Sequence, residues 1–475
     1  MRWTDLLVSI IPVTRNMTIS DKINHLRYLF QHLFGKKGVT NLKGRLARSA
    51  SGSFGLRIAS TGLSFIIGLL LARLLGTAGY GAYTYAITWV GFLAVPGALG
   101  LDKLLVREVA IYETTSEWHF MRGLLRWANQ TVLIVSLGLA LLAAFIGSIF
   151  AGRQDSLVLI SLWIAMVSLP LVTLTRLRQA VLKGLNRVIA GQVPEMLIQP
   201  ILFLCFLGIT YLLLGKALTA PRTLGINIVA TGIAFIVGTR VLLKTLPPSI
   251  KETGPSYKIR EWMRSALPLM LITGMQIINA KTDIIMLGAM KGTKEAGIYS
   301  VANRGAEFIT FILLAVNTAL APTVASLYAA GDMKKLQDVV TKSTRVILLF
   351  SLPIGLALIL CGHWFLLLFG EAFTQGRMSL AILSAGQLVN ASMGSVGPLL
   401  VMTGHERNVA IGVGISAALN IILNALLIPG WSIAGAAIAT ASSMITWNIL
   451  LATWVYKTIG IHSTALGEFV PWRKG

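Results

Sequence analysis

Charge is what this sequence of 475 residues has least of: Asp, Glu, Lys and Arg together make up 12% of it, against roughly 25% in an ordinary soluble domain. Hydrophobic residues, 55% of the chain, fill the deficit, and that excludes a disordered polypeptide. Cysteine is almost absent. Cys205 and Cys361 both lie in apolar runs, so a disulfide framework and a thiolate metal site are excluded and packing is their expected role. The six histidines, His25, His32, His119, His363, His405 and His462, show no ligand spacing, and no metal or cofactor is expected. Long polar connections are missing as well: none exceeds about 25 residues, too few for a soluble catalytic domain.

What is present is a succession of apolar stretches long enough to cross a bilayer, which takes roughly 20 residues of helix. They fall at approximately 54–75, 81–101, 127–150, 157–180, 193–215, 223–243, 266–290, 298–322, 344–369, 378–402, 408–428 and 431–456. The expected fold is therefore an all-α polytopic membrane protein of about 12 transmembrane helices. Trp118, Trp127, Trp262, Trp364, Trp431 and Trp454 fall near span ends, where an aromatic belt would place them. The net charge of +23 would suggest nucleic acid on a soluble protein, but here it is sided. The termini and even-numbered connections, with the adjoining span ends, carry 31 Lys and Arg; the odd-numbered connections carry 7. The positive-inside rule then puts both termini in the cytoplasm, with anionic lipid and not nucleic acid as partner. Arg176, Arg178, Lys183 and Arg187 are read as part of this topology signal. Residues 1–53 form a basic extension in which His25–Phe34 suggests a surface amphipathic helix.

The chain also repeats itself. Leu71–Ala86 and Leu287–Ala302 align without a gap at an offset of 216, matching Gly76 with Gly292, Thr77 with Thr293, Gly81 with Gly297 and Tyr83 with Tyr299. A second echo pairs Gly184–Arg187 with Gly404–Arg407. A six-span repeat is even, so both copies enter the membrane the same way up. Two six-helix lobes related by an axis along the membrane normal are then expected, at 54–243 and 266–456, joined by a cytoplasmic linker at 244–265 and ending in a tail at 457–475. Rocking between such lobes is a common route to alternating access.

The stretches Gly68–Ala86, Ala98–Ala110, Thr282–Arg304 and Gly397–Thr440 resemble the polysaccharide (oligosaccharide) flippases of the multidrug/oligosaccharidyl-lipid/polysaccharide (MOP) exporter superfamily. The resemblance covers roughly residues 50–456. It implies export of a lipid-linked oligosaccharide for cell-surface polysaccharide biosynthesis, its undecaprenyl-pyrophosphate head turning from the cytoplasmic to the periplasmic leaflet of the inner membrane. It also implies association with polysaccharide assembly proteins, and no enzymatic activity. An ion-coupled multidrug/cation antiporter of the same superfamily and a membrane glycan polymerase are the competing readings. The basic residues inside the spans weigh against the first, and the absence of a large loop or acidic metal motif against the second.

Each charge at the centre of a span costs about 2.5–3.5 kcal/mol, so the polar residues of spans 7 and 8 are the candidate site. Span 7 holds Gln276, Asn279, Lys281 and Asp283; span 8 holds Asn303, Arg304 and Glu307. Gln276, Asn279 and Asp283 share one helical face. Counted from the outer turn, Asp283 and Arg304 lie at similar depth, and Lys281 and Glu307 at another. Two interhelical ion pairs, Asp283–Arg304 and Lys281–Glu307, are therefore open to them. Alternatively the cluster lines a cleft, with Arg304, Lys281, Asn279, Gln276 and Asn303 binding substrate and Asp283 or Glu307 exchanging H⁺ or Na⁺. Arg57, one turn inside span 1, either joins that cleft or snorkels to the headgroups.

Overall fold

The computed structural model describes residues 42–149, 156–215 and 218–467. The expected helix at His25–Phe34 lies outside the described residues. The chain divides into two units, Met1–Ser51 and Gly52–Gly475. In the first, residues 42–51 are helical.

The second unit is all-α among the described residues. Its helices are α1 (Gly52–Ala98), α2 (Leu101–Thr115), α3 (Trp118–Ile149), α4 (Ser156–Gly184), α5 (Val188–Leu213) and α6 (Ala220–Thr245). They continue with α7 (Ile259–Met290), α8 (Thr293–Ala329), α9 (Met333–Leu367), α10 (Arg377–Met393), α11 (Val396–Met402) and α12 (Glu406–Ile459). Eight of these, α1, α3, α4, α5, α6, α8, α9 and α12, have the length and apolar composition to cross a membrane. Helices suit that solvent because every backbone polar group is satisfied within the segment. The outward faces are correspondingly apolar, with Leu141, Leu212 and Leu213 among the most exposed side chains.

Two of the long helices are broken. Gly76 takes φ 66° and ψ −176° inside α1, and Ser432 takes φ 48° inside α12, so each divides into two apolar segments. Gly292, the repeat partner of Gly76, has φ 103° and ψ 169° between α7 and α8. The two glycines thus hold equivalent turns at positive φ, a backbone that a Cβ disfavours. Prolines lie inside α7, α8, α9 and α12 at Pro268, Pro322, Pro353 and Pro429. Pro194 opens a turn of π-helix, Pro194–Ile198, within α5.

The main contacts fall into two sets. Helices α2 to α6 pack on one another, α7 to α12 pack on one another, and α7 also meets α2. Helix α1 joins the sets on the side of the repeated turns. There Leu71, Tyr80, Ala82 and Ala86 share a buried cluster with Ile284, Leu287, Ile298, Tyr299 and Ala302. The repeat motifs themselves touch. A Cβ on Gly81 would overlap the Thr293 carbonyl, and one on Gly297 would stand 2.7 Å from the Thr77 carbonyl oxygen and 2.9 Å from Gly81 Cα. Thr77 and Thr293 are themselves repeat partners, so the contact is reciprocal.

Three expectations from the sequence do not hold. Trp262 is 2% exposed and belongs to the core, not to a belt: its indole N–H donates to Tyr112 Oη at 3.0 Å and its ring packs 5.6 Å from Trp127. Arg178 is no lipid-facing topology signal. It is buried, pairs with Glu195, donates to the Phe235 carbonyl at 2.8 Å and lies over the Phe235 ring. Cys205 and Cys361 are exposed rather than packed inside, because they sit on outward faces of α5 and α9.

The reciprocal glycine contact leaves no room for a methyl group. Gly81→Ala and Gly297→Ala are each expected to lower the stability of the detergent-solubilised protein by about 1–3 kcal/mol, the usual cost of overpacking. Gly62→Ala, whose Cβ would meet nothing within 4 Å, should leave thermal unfolding unchanged.

Candidate functional site

Below the glycine contact, α1, α7 and α8 enclose a cavity of about 290 Å³. These are the helices that carry the repeated motif, so the cavity is built from the repeat-related pairs on either side of Gly76 and Gly292. Helix α1 supplies hydroxyls from Thr61, Ser64, Tyr83, Thr84 and Thr88; α7 supplies Lys281; α8 supplies Ser300, Asn303, Arg304 and Glu307. One wall is aromatic. Phe65, Phe308 and Phe311 line it, with Phe65 packed 5.4 Å from Phe308 and 5.6 Å from Phe369. The space is therefore amphipathic: hydroxyls and two cations face a phenylalanine surface.

Arg304 reaches from α8 to α1, donating from Nη1 to the Ser64 carbonyl at 3.0 Å, with its guanidinium against Gly68. Lys281 is half-buried and has no hydrogen bond or ion pair among the described residues. Glu307 is exposed and accepts from Asn303 Nδ2 at 3.1 Å. Neither Asp283–Arg304 nor Lys281–Glu307 is formed; the ion pairs among the described residues are Arg107–Glu108, Arg178–Glu195, Lys335–Asp332 and Lys342–Asp338. Asp283 and Arg304 share a depth but their helices turn them in different directions, whereas Lys281 and Glu307 face the same cavity without meeting.

Asp283 faces away from the cavity, into α12. It is 4% exposed and accepts four hydrogen bonds. Tyr299 Oη (3.0 Å) and Thr440 Oγ1 (2.6 Å) donate to Oδ2; Asn420 Nδ2 (3.1 Å) and Asn424 Nδ2 (2.7 Å) donate to Oδ1. All four donors are neutral, so among the described residues a buried carboxylate is held by no cationic side chain. Beside it, Asn424 Oδ1 is buried with no partner. The four donors occupy the carboxylate oxygens, and Asn424 Oδ1 is the one acceptor beside them left over. Asn279 continues this face, donating to the Val413 carbonyl at 3.2 Å and accepting from Ser416 Oγ at 3.3 Å.

The sequence candidates thus separate into three groups. Arg304, Lys281, Asn303 and Glu307 share the cavity; Asp283 and Asn279 share the α7–α12 contact; Gln276 and Arg57 are exposed and outside the cavity lining. Sequence reasoning missed Asn420, Asn424 and Thr440. Two asparagines four residues apart in an otherwise apolar stretch, Ala418–Leu427, were the available signal. It missed Tyr83 and the row of α1 hydroxyls as well, because single hydroxyls are common in membrane helices.

A family model described as "Polysaccharide biosynthesis protein" matches residues 46–328, and one described as MatE matches residues 266–426. Among curated proteins the chain is 24% identical over 429 residues to "Probable flippase AglR" of Haloferax volcanii, covering 87% of this chain and 84% of that one. It is 23% identical over 420 residues to "Probable low-salt glycan biosynthesis flippase Agl15" of the same organism, covering 88% and 84%. Among solved structures it superimposes on an inward-facing MATE-family multidrug transporter of the MOP superfamily with a TM-score of 0.66 at 13% identity, over 86% of this chain and 94% of that one. It superimposes on the lipid II flippase MurJ, also with a TM-score of 0.66, at 17% identity over 86% and 87%. The structural likenesses show the fold.

Replacing the carboxylate of Asp283 separates its structural role from its charge. Asp283→Leu removes the shared acceptor of four buried donors, which fall back on weaker or shared partners such as the Ala436 and Asn420 carbonyls, and is expected to lower the thermal unfolding temperature. Asp283→Asn keeps a carbonyl acceptor and should lose less in the same measurement.

Proposed function

The chain belongs to the polysaccharide biosynthesis protein family, and from that membership we propose that it is a flippase that carries a lipid-linked oligosaccharide from the cytoplasmic to the periplasmic leaflet of a cell membrane. The observation that carries the reading is the cavity in which Arg304 and an unpartnered Lys281 face hydroxyls on one side and phenylalanines on the other. An anionic, sugar-bearing head on an apolar tail has the matching chemistry. An undecaprenyl-pyrophosphate carrier fits that description.

The barrier to flipping is the head group, since the tail can stay in the bilayer. Bringing an isolated ion into low dielectric costs several kcal/mol, and two cations held inside the bundle lower that cost for a diphosphate. A potential negative inside favours outward movement of an anion by about 2.3 kcal/mol per charge per 100 mV. In this reading the twelve segments form two six-helix lobes, both termini are cytoplasmic, and the reciprocal glycine contact closes the periplasmic end. The cavity then loads from the cytoplasmic half. Asp283, with Asn420, Asn424 and Thr440, is the coupling site for H⁺ or Na⁺, and Arg304, Lys281 and Asn303 hold the diphosphate or the first sugar. Glu307, exposed and held by Asn303, leaves the two cations free to meet the anion. The relatives' names, both of flippases, support the substrate class; polysaccharide assembly proteins are the expected neighbours at the periplasmic face.

Deleting the protein from its host should make an undecaprenyl-linked glycan accumulate on the cytoplasmic leaflet, and the wild-type chain should clear it. Arg304→Ala is expected to insert normally, by membrane fractionation, yet leave the glycan uncleared. Full clearance by a well-expressed Arg304→Ala protein would remove Arg304 from the site, and no accumulation on deletion would remove the proposed substrate.

A further inference from the structure

The repeat places a tyrosine at equivalent positions, Tyr83 and Tyr299, and the structure gives the two hydroxyls different surroundings. Tyr299 is 1% exposed; its hydroxyl donates to Asp283 Oδ2 at 3.0 Å and lies 2.9 Å from Thr440 Oγ1. It is fully engaged in the buried polar network between α7, α8 and α12. Tyr83 is 9% exposed and lines the cavity with Arg304 and Lys281. Its hydroxyl has no hydrogen-bond partner among the described residues. One tyrosine of the repeat therefore serves a carboxylate that is present, and the other points a spare donor at a space prepared for an anion.

We infer that the two tyrosines divide the work of transport: Tyr83 donates a hydrogen bond to an anionic oxygen of the translocated head group, and Tyr299 positions the Asp283 carboxylate for its cation. The inference rests on the flippase reading and adds to it a residue of the first repeat in direct contact with substrate. Arg304 already reaches α1 at Ser64, and Tyr83 adds a donor from the repeat segment of α1, so that a bound head group touches both copies of the repeat. The Tyr83 hydroxyl is open to the cavity, so an oxygen acceptor can reach it without displacing a protein partner. Tyr299 cannot do this, because its hydroxyl is already committed. Divergence at a single repeated position thus gives one lobe a ligand contact and the other a coupling contact.

Tyr→Phe substitution removes one oxygen and keeps the ring, so packing is preserved at both positions. Two quantities are read on the purified full-length protein: the Kd for farnesyl diphosphate, with farnesol as the uncharged control, and the midpoint of thermal stabilisation by Na⁺ and by protons. Tyr83→Phe is expected to raise the Kd at least about tenfold, the lower end for losing a hydrogen bond to a charged group, with the cation midpoint unchanged. Tyr299→Phe is expected to move the cation midpoint and leave the Kd as in the wild type. Wild-type affinity in Tyr83→Phe, or both substitutions moving both quantities alike, would overturn the division of roles. Wild-type protein that bound farnesol as tightly as farnesyl diphosphate would instead overturn the anionic cavity, and the flippase reading with it.

Discussion

The contact between Gly81 and Gly297 fixes everything beneath it. Two helix pairs related by the repeat meet where a backbone carbonyl of one lies against a Cα of the other, and each glycine faces the carbonyl of the opposite threonine, Thr293 or Thr77. Such approach is possible only without side chains, the device membrane bundles use where backbones must come close. The contact joins the turns made by Gly76 and Gly292, and the cavity opens between the same helices. Its walls are α1, α7 and α8 for no other reason than that these helices carry the repeated turns.

Helix geometry then sorts the polar residues. Lys281 and Asp283 are two residues apart, about 200° around a helix of 3.6 residues per turn, so they face opposite ways. Lys281 points into the cavity and Asp283 into the α12 contact. On α8 no such opposition exists: Tyr299, which reaches Asp283, and Asn303, which lines the cavity, are four residues apart on one face and differ in height along the helix. The two polar sites therefore share α7 and α8, turned apart on α7 and following one another along α8. A change in what the Asp283 pocket holds acts on helices that also form the cavity wall.

Apolar runs, sided charge and repeated glycines made the all-α membrane fold legible from the sequence, since each is one-dimensional information. The depth of a side chain in the membrane is one-dimensional too, and Asp283 and Arg304 are indeed on adjoining helices. Which way each points is not. The azimuth of α7 is set by Asn279, Asp283 and their partners on α12, more than 130 residues away in sequence. Thus the shared face of Asn279 and Asp283 could be read, but not that the face looks at α12. Arg178 failed for a related reason. Counted as one more positive charge at a span end, it is in fact neutralised by Glu195 from the π-helical turn of α5, and no charge count can see a partner across a fold.

The separation of the two sites bears on how a buried carboxylate is tolerated. Asp283 has four neutral donors and no cationic side chain bonded to it, whereas Lys281 and Arg304 have no carboxylate bonded to them among the described residues. Pairing the opposite charges would have satisfied both and left a structural ion pair of the kind Arg178 and Glu195 form. Keeping them apart leaves Asp283 with no cation and the cavity with two cations against the one carboxylate of Glu307, on the same two helices. In the proposed function each imbalance is met by a ligand of the compensating sign. Under that proposal reciprocity requires that the factor by which the first ligand alters the affinity for the second equals the factor by which the second alters the first. A molecule that must carry an anion against its desolvation cost, and release it on the other side, needs that arrangement of unpaired charges more than it needs the stability of the pairs.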